Sequence, residues 1–103
     1  MGYRVSFAAR ADRDLGDIVR FLARLSPAAA ERLGYALFDD AMSLAELPRR
    51  GLAVPERPGY RRILHRPWHL IFYHVDESAQ TVTIVRIWDA RQDPDLLWPK
   101  ENI

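Results

Sequence analysis

Between Tyr60 and Trp88 the chain carries three runs rich in β-branched and aromatic residues, Tyr60–Leu64, His69–Val75 and Thr81–Trp88. They are joined by His65–Trp68 and Asp76–Gln80, turns too short to lead anywhere but back alongside. A parallel return needs a crossover of roughly a dozen residues or more, so these connections make antiparallel neighbours and the meander is nearly forced. Side chains alternate across a strand. Leu70, Phe72 and His74 therefore share one face of the middle run, and His69, Ile71, Tyr73 and Val75 the other.

The upstream half has a different period. Tyr3–Phe7 alternates aromatic and β-branched with polar residues, which predicts a strand. Ala11, Leu15, Ile18, Leu22 and Leu25 then recur at spacings of four and three, the stripe of an amphipathic helix. Ser26-Pro27 stops that helix and opens another, serine as cap and proline at the first helical position. Leu33, Leu37, Ala41, Leu44 and Leu47 form the face of the second helix. Pro48, Gly51, Pro55, Pro58 and Gly59 keep the next stretch irregular. The order is β-α-α-β-β-β. It predicts a two-layer α+β fold in which a helical hairpin packs on a mainly antiparallel four-stranded sheet. The position of the first strand in that sheet stays open.

A chain of 103 residues makes one domain. It is read here as a single domain over residues 1–93 and a tail over residues 94–103. Leu96, Leu97 and Trp98 predict that the tail docks. No apolar run approaches the roughly 18 residues needed to span a bilayer, so no membrane association is expected. The absence of cysteine removes disulfides, thiolate metal sites and cysteine nucleophiles, and suits a reducing cytoplasm, the expected location. The three histidines, at spacings of four and five, do not match a closed zinc site. No glycine-rich phosphate loop or serine-nucleophile motif occurs. No metal or cofactor is expected.

The net charge of +1 conceals a strong segregation. Residues 1–47 carry −1, residues 48–75 carry +5, and residues 76–103 carry −3. Of 15 basic residues only Lys100 is lysine. The basic middle holds Arg49, Arg50, Arg57, Arg61, Arg62 and Arg66 against Glu56, along with His65, His69 and His74. Arginine binds carboxylate or phosphate through paired hydrogen bonds, so this segment predicts an anionic partner.

The chain resembles the RelE/ParE superfamily of bacterial toxins from type II toxin–antitoxin modules. The matching pieces are the opening strand followed by Ala11-x-x-Asp14-Leu15-x-x-Ile18, the proline-rich connector, and Tyr60-Arg61-Arg62-Ile63. To these are added Leu70-Ile71-Phe72-Tyr73-x-Val75 and Val82-x-Ile84-Val85-Arg86-Ile87 leading to Arg91-x-Asp93. The ordered set covers roughly Tyr3 to Asp93. The resemblance implies the β-α-α-β-β-β fold, growth inhibition and plasmid stabilisation. It also implies a hetero-oligomer with a cognate, acidic antitoxin encoded by the adjacent gene. Two mechanisms come with it. ParE-like members poison DNA gyrase, whereas RelE-like members cut messenger RNA on the ribosome.

Metal-free RNA cleavage needs a base, an acid and cations around the phosphorane. The candidates for that chemistry are Arg62, His69, Tyr73 and Arg86. Nuclease members commonly place a histidine or tyrosine just after the last strand; here Trp88-Asp89 follows, and neither residue type occurs after His74. The Arg91-x-Asp93 ending looks more like the ParE branch. The expectation is therefore a gyrase-directed poison rather than a hydrolase. A ribosome-dependent ribonuclease is the alternative, and a degenerate member that only binds antitoxin a further one. For target or partner binding the candidates are Arg49, Arg50, Arg61, Arg62, Arg66, Arg86, Trp88 and Arg91. Arg86 is expected on one strand face with Val82, Ile84 and Trp88, where a charge must meet an acid or lie at the sheet end.

Overall fold

The computed structural model describes residues 2–99. Its elements run β1 (Arg4–Phe7), α1 (Ala9–Ala23), α2 (Pro27–Met42), β2 (Leu52–Ala53), β3 (Tyr60–His65), β4 (His69–Asp76) and β5 (Thr81–Asp89). A short 3-10 turn, Ser43–Ala45, extends α2, and another, Pro94–Leu96, follows β5. The α+β architecture is the one expected, two helices on a mainly antiparallel sheet. The sheet has a fifth member, because two residues of the proline-rich connector pair as β2 with Arg61 and Arg62. Strand order is β1-β5-β4-β3-β2. The first strand takes the edge beside the last, and parallel to it, from Arg4↔Thr81 to Phe7↔Ile84.

Local chemistry explains the helix ends. The Ser26 hydroxyl accepts from the Ala29 N–H at 3.2 Å, and Pro27 sits where no intrahelical donor is needed. Ala11 is fully buried, with Leu15, Ile18 and Leu33 packed around the core. Leu37, Ala41 and Leu44 reach 0% exposure. The stripes overreach at both ends. Leu25 is 75% exposed and Leu47 64%, because α1 stops at Ala23 and α2 at Met42, so the helical period does not continue to either residue.

The sheet is covered on both faces. Ile63, Ile71, Tyr73, Val82, Ile84 and Ile87 meet the helices. On the other face Phe72 and Trp88 pack with Val54 of the connector and Leu97. Each fully buried aliphatic or aromatic side chain of these clusters contributes about 1.5–3 kcal/mol relative to exposure.

One irregularity in β5 sets the positions of the residues that follow. Phe72 pairs with Arg86 but Tyr73 pairs with Ile84, so Val85 is an extra residue in the ladder. A one-residue bulge reverses the face on which each later side chain lies. Val82 and Ile84 face the helices, and beyond the bulge so does Ile87, while Val85 and Trp88 join the opposite cluster. The expectation that Arg86 shares a face with Val82 and Ile84 is therefore corrected. Of its expected face-mates Arg86 shares a face only with Trp88, its guanidinium 5.3 Å from the indole centroid.

Candidate functional site

The carboxylate of Asp14, in the first half of α1, organises the region around β5. Pairing with β1 ends at Phe7↔Ile84, where the chain turns into α1, so the β5 edge beyond has no strand partner. Asp14 Oδ2 accepts the Ile87 N–H at 3.0 Å and the Arg86 Nε–H at 2.7 Å. Its other oxygen accepts from Arg86 Nη2 at 3.2 Å and from Arg10 Nε at 3.2 Å. The remaining side of the Arg86 guanidinium, Nη1, donates to the Leu97 carbonyl. Asp14 is 7% exposed and Arg86 3%. This is a buried, hydrogen-bonded ion pair, and with Leu97 docked it keeps Arg86 from the surface. Trp88, expected at the partner surface, is 7% exposed and belongs to the second core.

The other residues of the nuclease candidate set lie apart. Tyr73 is fully buried beneath the helices, its hydroxyl accepting the Gly51 N–H at 3.0 Å. Burial raises its pKa, and the Gly51 bond only partly opposes this. The fit at Gly51 leaves no room for a side chain, since a Cβ there would stand 2.6 Å from the Tyr73 hydroxyl and 2.8 Å from the Arg62 carbonyl oxygen. Arg62 shares the face of Tyr60, away from the helices. His69 is four residues from Tyr73 along β4, roughly 13 Å at ~3.3 Å per residue. No pair of these four residues holds a base and an acid on opposite sides of one phosphate.

Much of the basic segment is already answered within the chain. Arg49 pairs with Glu77 at 2.7 Å, and Arg50 with Asp40 at 3.0 Å. Asp40 also meets His65 Nδ1 at 2.9 Å, which fastens the end of α2 to the end of β3. His65, expected in the turn, is thus the last residue of a strand. Arg61 donates to the Gly51 carbonyl at 2.9 Å. Arg66 stands exposed at the following turn, and among the described residues neither it nor Arg62 forms an ion pair.

A groove of about 840 Å³ opens where the second half of α1 meets the ends of β4 and β5. Its floor is apolar, from Ile18, Leu22 and Leu33, and His69 forms part of the wall. Phe21 and Trp68, 63% and 38% exposed, stand at the mouth. Arg91 lies over the Trp68 ring at 3.9 Å and is clamped by Asp89, Nε–Oδ1 at 3.0 Å and Nη2–Oδ2 at 2.6 Å. These bonds hold the Asp89 pKa below the usual carboxylate value. The pair presents a flat cation on an aromatic shelf. Arg20 and Asp17 pair at 2.5 Å on the helix side of the groove, and Arg24 forms no ion pair among the described residues. His69 is 5% exposed, and among the described residues its Nδ1 has no hydrogen-bond partner. Burial lowers its pKa and the nearby Asp89 charge only partly offsets that, so the imidazole is neutral at pH 7.

Of the site candidates named from the sequence, the groove brings together His69 and Arg91. The site candidates named from the sequence did not include Phe21, Arg24, Trp68 or Asp89. Phe21 and Arg24 lie off the apolar stripe of α1, and that position is the one signal of exposure the sequence offered. Among the described residues no group of three histidine, aspartate or glutamate side chains is placed to hold a metal ion. No helix is long and apolar enough to cross a membrane.

A family model described as the ParE toxin of the type II toxin–antitoxin system parDE matches residues 5–94. Among solved structures the chain is similar to one from the chromosomal ParDE system of P. aeruginosa. That likeness has 21% identity and a TM-score of 0.73, over 84% of this chain and 95% of the other. It is also similar to a chain of the RelBE2 toxin–antitoxin complex of Mycobacterium tuberculosis, with 27% identity and a TM-score of 0.63, over 86% and 99%. A chain of the E. coli RelBE complex follows at 19% identity and a TM-score of 0.56, over 87% and 99%. No curated protein matches the sequence.

Proposed function

The chain belongs to the family of ParE toxins of type II toxin–antitoxin systems, and on that premise we propose that it is a binding poison that inhibits DNA gyrase and is neutralised by a cognate antitoxin. The observation that supports a poison over a hydrolase is the scattering of the nuclease candidates. Arg86 is locked to Asp14, Tyr73 is sealed under Gly51, and Arg62 and His69 lie on different faces of the sheet. Gyrase as the target comes from the likeness of the closing Arg91-x-Asp93 segment to the ParE branch.

The antitoxin contact we assign to the groove. Its apolar floor and the exposed Phe21 and Trp68 suit the apolar side of a partner helix or extended segment, and Arg24 and Arg91 suit acidic residues at its rim. Supercoiling of relaxed plasmid by purified gyrase tests the proposal. Toxin in excess should stop it, and prior addition of the adjacent gene's product should restore it. Undisturbed gyrase contradicts the reading.

One observation favours the ribonuclease. His69 is neutral at pH 7 and stands in the groove near Asp89 and the Arg91 cation, the form a general base requires. Primer extension on translating ribosomes separates the two. Codon-linked cuts that vanish in His69→Gln support cleavage, and identical patterns with and without the toxin exclude it. Expression without growth arrest, together with tight antitoxin binding, would mark a degenerate member.

A further inference from the structure

The sheet face turned away from the helices is closed by residues lying just past the stretch that matches the toxin family. That match ends at Pro94. The 3-10 turn Pro94–Leu96 then sets Leu97 and Trp98 on the second core, with Leu97 5% exposed above Phe72 and Trp88. Trp98 meets Phe72 edge-on at 5.1 Å and Tyr60 at 5.9 Å, and Arg57 lies 4.5 Å from its centroid. Leu96 turns outward, 66% exposed. Two side chains therefore cover an aromatic face that would otherwise form a contiguous apolar patch, the kind of surface that marks a binding site.

The polar terms of this closure are few. Arg86, held on one side by both oxygens of Asp14, donates from its remaining side to the Leu97 carbonyl. Among the described residues the buried Trp98 indole N–H has no acceptor. A buried donor with no partner penalises the docked state, and water or a partner's carbonyl would relieve it.

We propose that residues 94–98 form a releasable strap, an intramolecular occupant of a docking face for an extended peptide of the strap's own chemistry, an aliphatic residue followed by an aromatic one. Such a peptide replaces Leu97 above Phe72 and Trp88, sets its ring against Arg57 and Tyr60, and offers a backbone carbonyl to Arg86.

The test compares the full-length wild type with the full-length double variant Leu97→Gly, Trp98→Gly. The ligand is a fluorescein-labelled synthetic peptide of residues 93–99, read by anisotropy. The variant should unfold cooperatively and bind the peptide at least about tenfold more tightly than wild type. Equal binding by the two proteins, or no binding by the variant, overturns the proposal. If the variant does not fold, hydrogen exchange in the wild type decides. The Trp98 indole proton should then exchange at least about a hundredfold faster than the Ile71 amide. Matching rates would make these residues part of the global core and overturn the strap.

Discussion

Asp14 lies in the first half of α1 and ties that helix to the end of β5. It accepts from Arg86, from the Ile87 backbone and from Arg10, and so stands in for a strand along the edge that β1 leaves uncovered. Replacing it with alanine leaves a buried guanidinium without a counter-charge. The expected loss is about 3–5 kcal/mol in urea unfolding, and Asp14→Leu combined with Arg86→Met should lose far less than Asp14→Ala alone. The sequence showed that Arg86 needed an acid or a sheet end. It could not show which acid, because the bulge at Val85 is invisible to an alternation argument and changes the face on which Arg86 lies. His69 gives a second prediction. Its folded pKa is depressed by burial below the ordinary 6.5, so the unfolded chain binds the proton more readily. Stability should therefore be fully present above about pH 6.5 and fall as the pH drops below it. His69→Gln should flatten that part of a urea-midpoint profile measured between pH 7.5 and 5. A wild-type profile already flat there would contradict the assignment.

Among the elements, the helical hairpin and the three-strand meander were legible because their signals are local: a period, a cap and two short turns. Ser26 illustrates this. Its cap was readable from Ser26-Pro27, and Ser26→Ala should cost about 1 kcal/mol in thermal or urea unfolding without altering antitoxin affinity. The pairing of β2 and the edge position of β1 were not legible. A two-residue strand has no periodicity, and a parallel neighbour at long sequence separation leaves no mark on composition. The groove was hidden for a related reason. It is assembled from α1, α2 and the ends of β4 and β5, and Phe21, Trp68 and Asp89 gain meaning only when those elements converge. Its proposed role predicts that Phe21→Ala with Trp68→Ala weakens the antitoxin complex by about a hundredfold or more in calorimetric titration, since exposed aromatic anchors of an interface each contribute about 1–2 kcal/mol or more. Unfolding midpoints should stay near wild type because both rings already face water.

At the scale of the molecule, the +5 segment changes meaning. Salt bridges to Glu77 and Asp40 and a bond to the Gly51 carbonyl engage Arg49, Arg50 and Arg61 within the chain. Screening should then matter little. Raising salt from about 0.05 to 0.5 M should weaken antitoxin binding by less than about tenfold, the mark of a mainly apolar contact. A steep salt dependence would return the basic connector to the centre of the interface. The larger claim is that this fold acts by occupying a target rather than by moving a proton. It is met most directly by a dose–response of supercoiling with purified DNA gyrase and relaxed plasmid, wild type beside His69→Gln. Both proteins should inhibit, with half-inhibitory concentrations within about twofold of each other. Supercoiling that proceeds undiminished at high toxin excess would contradict it.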